Sequence, residues 1–274
     1  MSHNSLFFLK LGGSLITDKN TARLPRLDVI ARLAQEIASA CAQNPDLRLV
    51  VGNGAGSFGH VTAKRYGTRQ GVQTPEEWRG FAEVWREAAT LNRLVTDALH
   101  AARLPAMAFP PSASVTARDG QVASWDLAPL RSALEAGLMP VIQGDVIFDS
   151  VRGGTILSTE DLFEHLAREL RPQRILLAGI EAGVWADFHA CTRLIAQITL
   201  HNLPEVAPAL GGSNATDVTG GMASKVGQSL RMVQAIPHLE VLIFSGNQAG
   251  QVEKALLGAR LGTAVQAALS HPPD

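Results

Sequence analysis

The sequence has few of the features that mark secreted, membrane or nucleic-acid-binding proteins. Its 274 residues include two cysteines, Cys41 and Cys191, which are too few for a disulfide framework and lack Cys-x-x-Cys spacing. No apolar run approaches the roughly 20 residues of a membrane span, and no signal sequence precedes the first strand. The sequence therefore predicts a cytoplasmic protein with no membrane partner.

Positive and negative charges nearly balance, with 24 Lys and Arg against 25 Asp and Glu and a net charge of −1. Because the sequence contains no basic run, it predicts no nucleic-acid partner. Hydrophobic residues make up 46% of the chain, which is sufficient for a sizeable core. We expect one continuous domain with two closely joined halves, residues 1–170 and 171–274, because a new strand begins after Pro172.

Short β-rich runs alternate with helix-length amphipathic runs, a pattern typical of an α/β fold with a mostly parallel sheet. Strands are predicted at 6–11, 47–51, 107–109, 139–143, 174–178, 195–200, 240–244 and 263–266, and a β-hairpin at 147–157. Helices are predicted around 27–37, 74–104, 127–136, 159–170, 222–235 and 251–257. Thr74 and Glu77 have the spacing of a capping box at the start of the longest helix.

Three glycine-rich loops lie where a predicted strand is followed by a helix, at 10–14, 54–60 and 216–225. Glycines let backbone N–H groups approach an anion, and the following helix adds a favourable dipole. Three lysines accompany these loops, Lys10, Lys19 and Lys225. Any single Gly-Gly is more often a tight turn, but three such loops with lysines indicate an enzyme that handles phosphate groups.

Lys10 is the most informative of these lysines because it lies inside an apolar strand. Burying an ammonium group there is costly unless an anion or a carboxylate pairs with it, so we expect Lys10 to be functional. His60, at the end of the second loop, could donate a hydrogen bond to a phosphate or could be a surface residue at a helix end. Asp145 and Asp161 are open to functional and structural interpretations alike.

Other motifs explain less of the sequence. Gly54, Gly56 and Gly59 match the dinucleotide-binding fingerprint, but that fingerprint is weak alone and leaves the lysines unexplained. Neither Gly-Lys-Ser nor Gly-Lys-Thr occurs, which excludes a P-loop kinase. Ser57 lies in a run close to a nucleophile elbow, but a hydrolase triad would need a histidine from far along the chain. No His, Cys, Asp or Glu cluster has metal-ligand spacing.

Four segments, taken in order, resemble the amino acid kinase superfamily and, within it, the isopentenyl phosphate kinases. They are Lys-Leu-Gly-Gly-Ser-Leu-Ile-Thr-Asp-Lys at 10–19, Gly-Ala-Gly-Ser-Phe-Gly-His at 54–60, Gly-Asp-Val-Ile-Phe-Asp at 144–149 and Asp-Val-Thr-Gly-Gly-Met-Ala-Ser-Lys at 217–225. The Ser-Phe-Gly-His ending of the second segment distinguishes the isopentenyl phosphate kinases and their fosfomycin kinase relatives from acetylglutamate and carbamate kinases. The resemblance extends over nearly the whole chain.

The resemblance implies an open three-layer αβα sandwich with a mostly parallel central sheet. The N-terminal half would bind the phosphate acceptor, isopentenyl phosphate, and the C-terminal half would bind ATP, with Mg²⁺ carried on the nucleotide and no metal site in the protein. The product would be isopentenyl diphosphate, an isoprenoid precursor, and the enzyme would be a homodimer. The alternatives are a kinase for a related phosphate or phosphonate such as fosfomycin, and a non-catalytic nucleotide-binding regulator.

The resemblance also assigns individual residues. The catalytic set is Lys10, Lys19, His60 and Asp161, in which Lys19 would stabilise the transition state and Asp161 would orient the lysines. The acceptor phosphate would contact Ala55, Gly59, His60 and Gly154. The nucleotide phosphates would contact Lys10, Gly12, Gly13, Ser14, Gly56, Gly221 and Lys225. The acceptor's tail is expected along the 74–104 helix, near Phe81, Val84 and Trp85.

Three departures from the family pattern bear on these assignments. Asn53 and Ala55 stand where the family usually has His and Gly, and Ala55 is tolerated if its backbone angles are ordinary. Ser-Thr-Glu-Asp at 158–161 replaces a Ser-Gly-Asp-Asp run. Ala182 stands where an Asp usually precedes Gly183, which affects the contacts to the ribose or base and leaves the phosphate chemistry intact.

Overall fold

The computed structural model describes residues 5–187, 190–210 and 221–267. Within these ranges the strands are β1 (Ser5–Leu11), β2 (Leu47–Asn53), β3 (Ala106–Ala108), β4 (Val115–Arg118), β5 (Gln121–Trp125), β6 (Met139–Gln143), β7 (Asp145–Asp149), β8 (Gly153–Leu157), β9 (Arg174–Gly179), β10 (Val184–Trp185), β11 (Leu194–Ile195), β12 (Gln197–Ile198), β13 (Glu240–Ser245) and β14 (Thr263–Val265). The helices are α1 (Gly13–Ile16), α2 (Leu27–Gln43), α3 (Gly56–Tyr66), α4 (Pro75–Ala101), α5 (Ala128–Glu135), α6 (Thr159–Leu170), α7 (Leu203–Leu210), α8 (Gly221–Ala235) and α9 (Gln251–Leu256).

Eight strands form the main sheet in the order β12-β14-β13-β9-β1-β2-β6-β3. The six strands from β13 to β3 are parallel, and β14 pairs antiparallel with β13 near one edge. The predicted mostly parallel sheet is therefore confirmed. Strands β1 and β9 pair directly, so the sheet continues across the boundary between residues 170 and 171.

Helices cover both faces of the main sheet, because side chains of a strand alternate between its two faces and both faces here are apolar. In β1, Phe7 and Leu9 belong to one core cluster and Phe8 to the other. Helices α2, α4 and α9 contribute to the first cluster, and α5, α6 and α8 to the second. This is the three-layer αβα sandwich that the resemblance implies.

A second sheet has the order β5-β4-β7-β8. Strands β7 and β8 form the predicted antiparallel hairpin, whereas the hairpin of β4 and β5 was not predicted. Its two-residue turn is Asp119-Gly120, and both residues have positive φ, at 50° and 76°. An Asp-Gly pair is a recognised signal for this kind of turn, so the sequence did contain the information.

Helix α4 begins at the predicted capping box: the Thr74 side chain accepts a hydrogen bond from the backbone N–H of Glu77, and the Glu77 carboxylate accepts one from Thr74. Helix α3 was not predicted, because its first residues were assigned to the glycine-rich loop. It ends at Gly67, whose φ of 60° provides the left-handed conformation common after a helix. No helix in the part of the chain described here is long and apolar enough to cross a membrane.

Candidate active site

Two of the glycine-rich loops meet at the carboxyl ends of β1 and β2. Because these strands are parallel and Leu11 pairs with Asn53, both loops leave the sheet at the same edge. The backbone N–H of Gly54 donates to the carbonyl oxygen of Leu11 at 3.0 Å, and the N–H of Ser57 donates to the Thr17 hydroxyl at 3.0 Å. The two loops are thus fixed to each other, at the carboxyl edge where ligands bind in open α/β sheets.

The glycines at this contact are required by close approach of the two backbones. A Cβ added to Gly13 would lie 2.6 Å from the Cα of Gly56, and one added to Gly54 would lie 2.8 Å from the Gly13 nitrogen. Gly56 also has a positive φ of 52°, which disfavours any side chain. The loops can therefore place backbone N–H groups against a ligand, which longer side chains would prevent.

A cavity of about 760 Å³ opens above these loops. Ten of the predicted site residues line it, namely Lys10, Gly12, Gly13, Ser14, Lys19, Ala55, Gly56, Gly59, His60 and Lys225. Three predicted residues that the structure also describes, Gly154, Asp161 and Gly221, lie outside its lining. The cavity thus brings residues from both halves of the sequence to one place.

Lys10 is buried, and its ammonium group is ion-paired with the carboxylate of Glu160. The pairing follows from the alternation in β1, since Lys10 faces the same side as Phe8. Phe163 of α6 packs against Phe8, with ring centroids 5.0 Å apart. Glu160 lies one turn earlier on α6 and contacts Lys10. Burial raises the pKa of Glu160, but the charges of Lys10 and Lys225 outweigh burial, so the pKa is lowered on balance and the carboxylate stays ionised.

The carboxylate at Lys10 is therefore Glu160, whereas the resemblance gave the role of orienting the lysines to Asp161. The Asp161 carboxylate instead accepts hydrogen bonds from the Ser158 backbone, at 2.8 Å, from Arg69, at 3.3 Å, and from the Gln228 side chain, at 2.6 Å. The first of these is half of a capping box at the start of α6. Local helix capping and two long-range contacts occupy the Asp161 carboxylate, and the carboxylate that contacts Lys10 is that of Glu160.

Gly154 does not line the cavity. It lies in β8 under α4, and a Cβ there would lie 2.8 Å from the ring of Phe81. This packing explains why the residue is a glycine, and its contact with the acceptor phosphate stays a prediction. Of the residues expected at the acceptor's tail, Val84 lines the cavity, while Phe81 is buried beside it and Trp85 is 45% exposed on the outer side of α4.

His60 lies in the first half of α3, one turn after Gly56, and is exposed at the cavity. The departure at Ala55 is accommodated as expected, because Ala55 has ordinary helical angles, φ −71° and ψ −20°. A Cβ at Gly59 would lie 2.9 Å from that of Ala55, so side chains at both positions would require a local shift. The start of α3 therefore presents its backbone and the imidazole of His60 to the cavity.

Asn53, the other departure, is fully buried at the end of β2. Its side chain accepts a hydrogen bond from the Asn92 amide on α4 at 2.9 Å, and its carbonyl oxygen accepts one from the Thr159 hydroxyl on α6 at 2.7 Å. Asn53 therefore connects the second loop to helices on both faces of the sheet. It holds the loop in place and does not itself line the cavity.

Asp145 lines the cavity at the carboxyl end of the main sheet. It is 1% exposed, and burial raises its pKa to about 6 even though the backbone N–H groups of Ser112 and Val146 donate hydrogen bonds to it. A carboxylate with this pKa changes its charge near neutral pH.

The third loop is described only from Gly221, where α8 begins; residues 211–220 lie outside the described ranges. Gly221 has a φ of 63° and Lys225 follows one turn later, at the cavity. Lys225 is close enough to Glu160 to lower the pKa of that carboxylate. Lys10 and Lys225 therefore share one acidic neighbour, although they are 215 residues apart.

Sequence reasoning missed Glu160 and Arg69, both of which line the cavity. Glu160 lies directly beside Asp161 in the Ser-Thr-Glu-Asp run, so the segment was found and the wrong member of it chosen. Arg69 lies in the connection between α3 and α4, outside every motif, and nothing in the sequence marks it. Among the described residues no group of three or more His, Cys, Asp or Glu could hold a metal ion.

Comparison with known proteins agrees with this geometry. The model of the amino acid kinase family matches residues 5–245. The isopentenyl phosphate kinase of Methanocaldococcus jannaschii is 34% identical, with 95% of this chain and 98% of that protein covered. That of Methanothermobacter thermautotrophicus is 35% identical, with 92% and 96% covered.

A solved structure described as "X-ray structures of isopentenyl phosphate kinase" superposes with a TM-score of 0.78 at 31% identity, covering 95% of this chain and 100% of that one. Sequence and fold therefore agree over almost the full length, including all the segments that line the cavity. The chain belongs to the amino acid kinase family.

Proposed function

We propose that this protein transfers the γ-phosphoryl group of ATP to isopentenyl phosphate, giving isopentenyl diphosphate and ADP. The observation that carries the proposal is the cavity itself, where two interlocked glycine-rich loops, Lys10, Lys19, His60 and Lys225 converge at the carboxyl ends of parallel strands. Relatives that match nearly the full chain are isopentenyl phosphate kinases, which specifies the acceptor.

The chemistry requires positive charge and alignment. An oxygen of the acceptor phosphate attacks the γ-phosphorus, the bond from that phosphorus to the bridging oxygen breaks, and ADP leaves with the electron pair. Since the attacking oxygen is already ionised, the step needs no strong general base. Two anionic groups must approach each other, however, and the cations of the cavity reduce their repulsion.

The residues take separate parts in this step. Lys10 and Lys19 contact the transferring phosphoryl group, and Lys19 stabilises the transition state. Glu160 fixes the Lys10 ammonium group in position, because its ionised carboxylate is buried beside it. Lys225 and the backbone of Gly12, Gly13, Ser14 and Gly56 hold the nucleotide phosphates, and Gly221 starts the helix that carries Lys225.

The acceptor phosphate lies at the start of α3, against the backbone of Ala55 and Gly59 and the imidazole of His60. Its hydrocarbon tail extends toward α4, where Val84 and Ala88 line the cavity. The N-terminal half, residues 1–170, thus binds the acceptor, and the C-terminal half, residues 171–274, binds ATP.

Mg²⁺ enters with ATP and, when bound, neutralises charge on the β- and γ-phosphates. The residues present fit this mode, since two carboxylates at the cavity already have partners in the protein and no group of three or more His, Cys, Asp or Glu among the described residues could hold a metal ion. Glu160 is paired with Lys10, and Asp145 accepts two backbone hydrogen bonds. We also propose that the enzyme works in the cytoplasm as a homodimer in isoprenoid precursor synthesis; light scattering of the purified protein tests the dimer.

The reaction is tested by ADP release with ATP and Mg²⁺ over five conditions: isopentenyl phosphate, dimethylallyl phosphate, fosfomycin, acetylglutamate and no acceptor. We expect turnover confined to the two prenyl phosphates. Turnover with fosfomycin alone would retain the kinase and reassign the acceptor. No turnover with any acceptor, together with a melting temperature raised by ATP, would overturn the proposal in favour of a nucleotide-binding regulator. A shift with NAD in place of ATP would indicate an oxidoreductase.

A further inference from the structure

Arg69 is a cation of the cavity that the proposed mechanism does not use. It follows α3, whose residues Gly59, His60 and Ala63 line the same cavity on the proposed acceptor side. Its side chain is 34% exposed, so the guanidinium group is accessible from the cavity and needs no rearrangement of the core.

The backbone around Arg69 is held from two directions. Its carbonyl oxygen accepts hydrogen bonds from the Thr155 hydroxyl, at 3.0 Å, and from the Arg152 side chain, at 3.3 Å, both on the β7–β8 hairpin side. The N–H of Thr68 donates to the carbonyl oxygen of Ala63 at 3.2 Å, which ties the segment to α3. The connection between α3 and α4 is therefore fixed at Arg69, although it has no regular secondary structure.

The guanidinium group is held by Asp161, in the first turn of α6. Asp161 Oδ2 accepts from Arg69 Nη2 at 3.3 Å, while Asp161 Oδ1 accepts from the Gln228 side chain on α8 at 2.6 Å. Gln228 is one turn after Lys225, which we place on the nucleotide. Asp161 therefore connects the acceptor side of the cavity, through Arg69, with the helix on the nucleotide side.

Within the described residues, this is the single hydrogen bond that the Arg69 guanidinium donates. Arginine has five N–H donors in a planar fork that matches two oxygens of a phosphate, so most of its binding capacity is available. A phosphate monoester carries nearly two negative charges at neutral pH. Such a group at His60 would accept further hydrogen bonds from Arg69. It would also neutralise a charge that Asp161 balances only in part.

We propose that Arg69 is a binding residue for the acceptor phosphate, held in position by Asp161 and, through it, by Gln228. The inference rests on the proposed function and deepens it, because it adds a guanidinium group to the imidazole of His60 on the acceptor side and gives Asp161 a positioning role. Arg69 affects the acceptor's affinity, whereas Lys10 and Lys19 affect the phosphoryl group that moves.

The test compares Arg69→Ala, Arg69→Lys and Arg65→Ala by steady-state kinetics, with each substrate varied in turn. Arg65→Ala removes the same charge from the exposed end of α3, outside the cavity, and serves as the matched control. We expect Arg69→Ala to raise the KM for isopentenyl phosphate about tenfold or more, as loss of a charge-assisted hydrogen bond does. The KM for ATP should stay within about twofold, Arg69→Lys should be intermediate, and Arg65→Ala should match the wild type.

The role of Asp161 is tested in the same assay. Asp161→Asn should raise the KM for the acceptor in the wild-type background and should change it little in the Arg69→Ala background, because the residue it positions is then absent. If the role of Asp161 were merely structural, Asp161→Asn would lower the melting temperature and would change the KM for the acceptor equally in both backgrounds.

Three results would overturn the inference: an unchanged acceptor KM in Arg69→Ala, an equal change in Arg65→Ala, or equal changes in the KM for ATP and for the acceptor. Absence of turnover in the wild-type enzyme would instead count against the proposed function. Direct binding of isopentenyl phosphate to wild-type and Arg69→Ala protein, measured by calorimetry without ATP, would then decide the inference separately: equal affinities overturn it.

Discussion

At the scale of single residues, the site depends on charges that have been removed from water and paired. Lys10 and Glu160 are the clearest case, since each would be costly to bury alone. Lys10→Met should abolish turnover and lower the free energy of unfolding by about 3–5 kcal/mol, because it leaves a buried carboxylate without its partner. Urea denaturation and ADP release measure the two effects.

The double variant Lys10→Met/Glu160→Leu separates stability from catalysis. Replacement of a buried ion pair by apolar side chains is often neutral or stabilising, so we expect most of the lost stability to return while turnover stays absent. If the single variant Lys10→Met were as stable as the wild type, the ion pair would not hold this part of the core together.

His60 is expected to bind the acceptor phosphate by donating a hydrogen bond, without removing a proton. His60→Ala should lower kcat about a hundredfold or more, the usual effect of deleting one donor at a charged reacting group. His60→Asn can still donate a hydrogen bond and should keep more activity. Equal turnover in all three proteins, measured as ADP release, would exclude this role.

Asp145 makes the stability of the protein depend on pH. Its pKa is raised by burial from an unfolded value near 3.8 to about 6, so the folded state binds the proton more tightly. The ionised Asp145 therefore lowers the free energy of unfolding. This loss of stability is absent below the unfolded pKa, grows as pH rises to about 6, and is complete above that value. The total is about 3 kcal/mol by linkage.

Asp145→Asn removes this titration while keeping an oxygen for one of the two backbone hydrogen bonds, since Ser112 and Val146 donate to different oxygens of the carboxylate. Urea denaturation of both proteins at pH 5 and at pH 7.5 should show that the variant gains stability relative to the wild type as pH rises. A difference that does not depend on pH would mean that Asp145 keeps its ordinary pKa.

At the scale of elements, the site is a contact between two backbones. The loops after β1 and β2 approach so closely that Gly13 and Gly56 have no space for a side chain. Gly13→Ala should destabilise the protein by about 1–3 kcal/mol, the cost typical of overpacking, and should weaken ATP binding. Thermal denaturation with and without ATP measures both effects.

Gly227→Ala is the matched control at this scale. Gly227 lies inside α8, and a Cβ there would meet its nearest atom, at the flexible end of Arg231, at 4.0 Å. Since alanine favours a helix over glycine, this change should stabilise the protein by about 0.5–1 kcal/mol. Destabilisation by both substitutions would mean that the approach of the two loops has no special importance.

Prediction from the sequence worked best for elements whose signals are local. The capping box of Thr74 and Glu77 and the alternating apolar strands gave the bounds of α4 and the main sheet to within a few residues. Helix α3 was missed because Gly56 and Gly59 have low helix propensity, and tertiary contacts with α4 outweigh that preference. The β4–β5 hairpin was missed although Asp119-Gly120 marked its turn.

At the scale of the whole molecule, one sheet joins the two halves of the chain, and the cavity lies between them. Hydrogen exchange should therefore show different protected segments for the two substrates. ATP should protect the start of α8 and the loop after β1, whereas isopentenyl phosphate should protect α3 and the connection that carries Arg69. If ATP protected α3 and isopentenyl phosphate did not, or if isopentenyl phosphate protected α8 and ATP did not, the assignment of the two halves would be contradicted.

The order of strands and helices, the three glycine-rich loops and the buried position of Lys10 were all determined by the sequence, because they depend on periodicity and on neighbours along the chain. These features predicted the fold class and a phosphate-handling enzyme, and the resemblance they support identified the kinase family; all three are confirmed. The tertiary structure decided which carboxylate contacts Lys10, which residues Asp161 and Gly154 contact, and that Arg69 lines the cavity. Glu160 lies 150 residues from Lys10, and Gln228 lies 67 residues from Asp161. Such contacts depend on how the helices pack across the sheet, which no local pattern specifies.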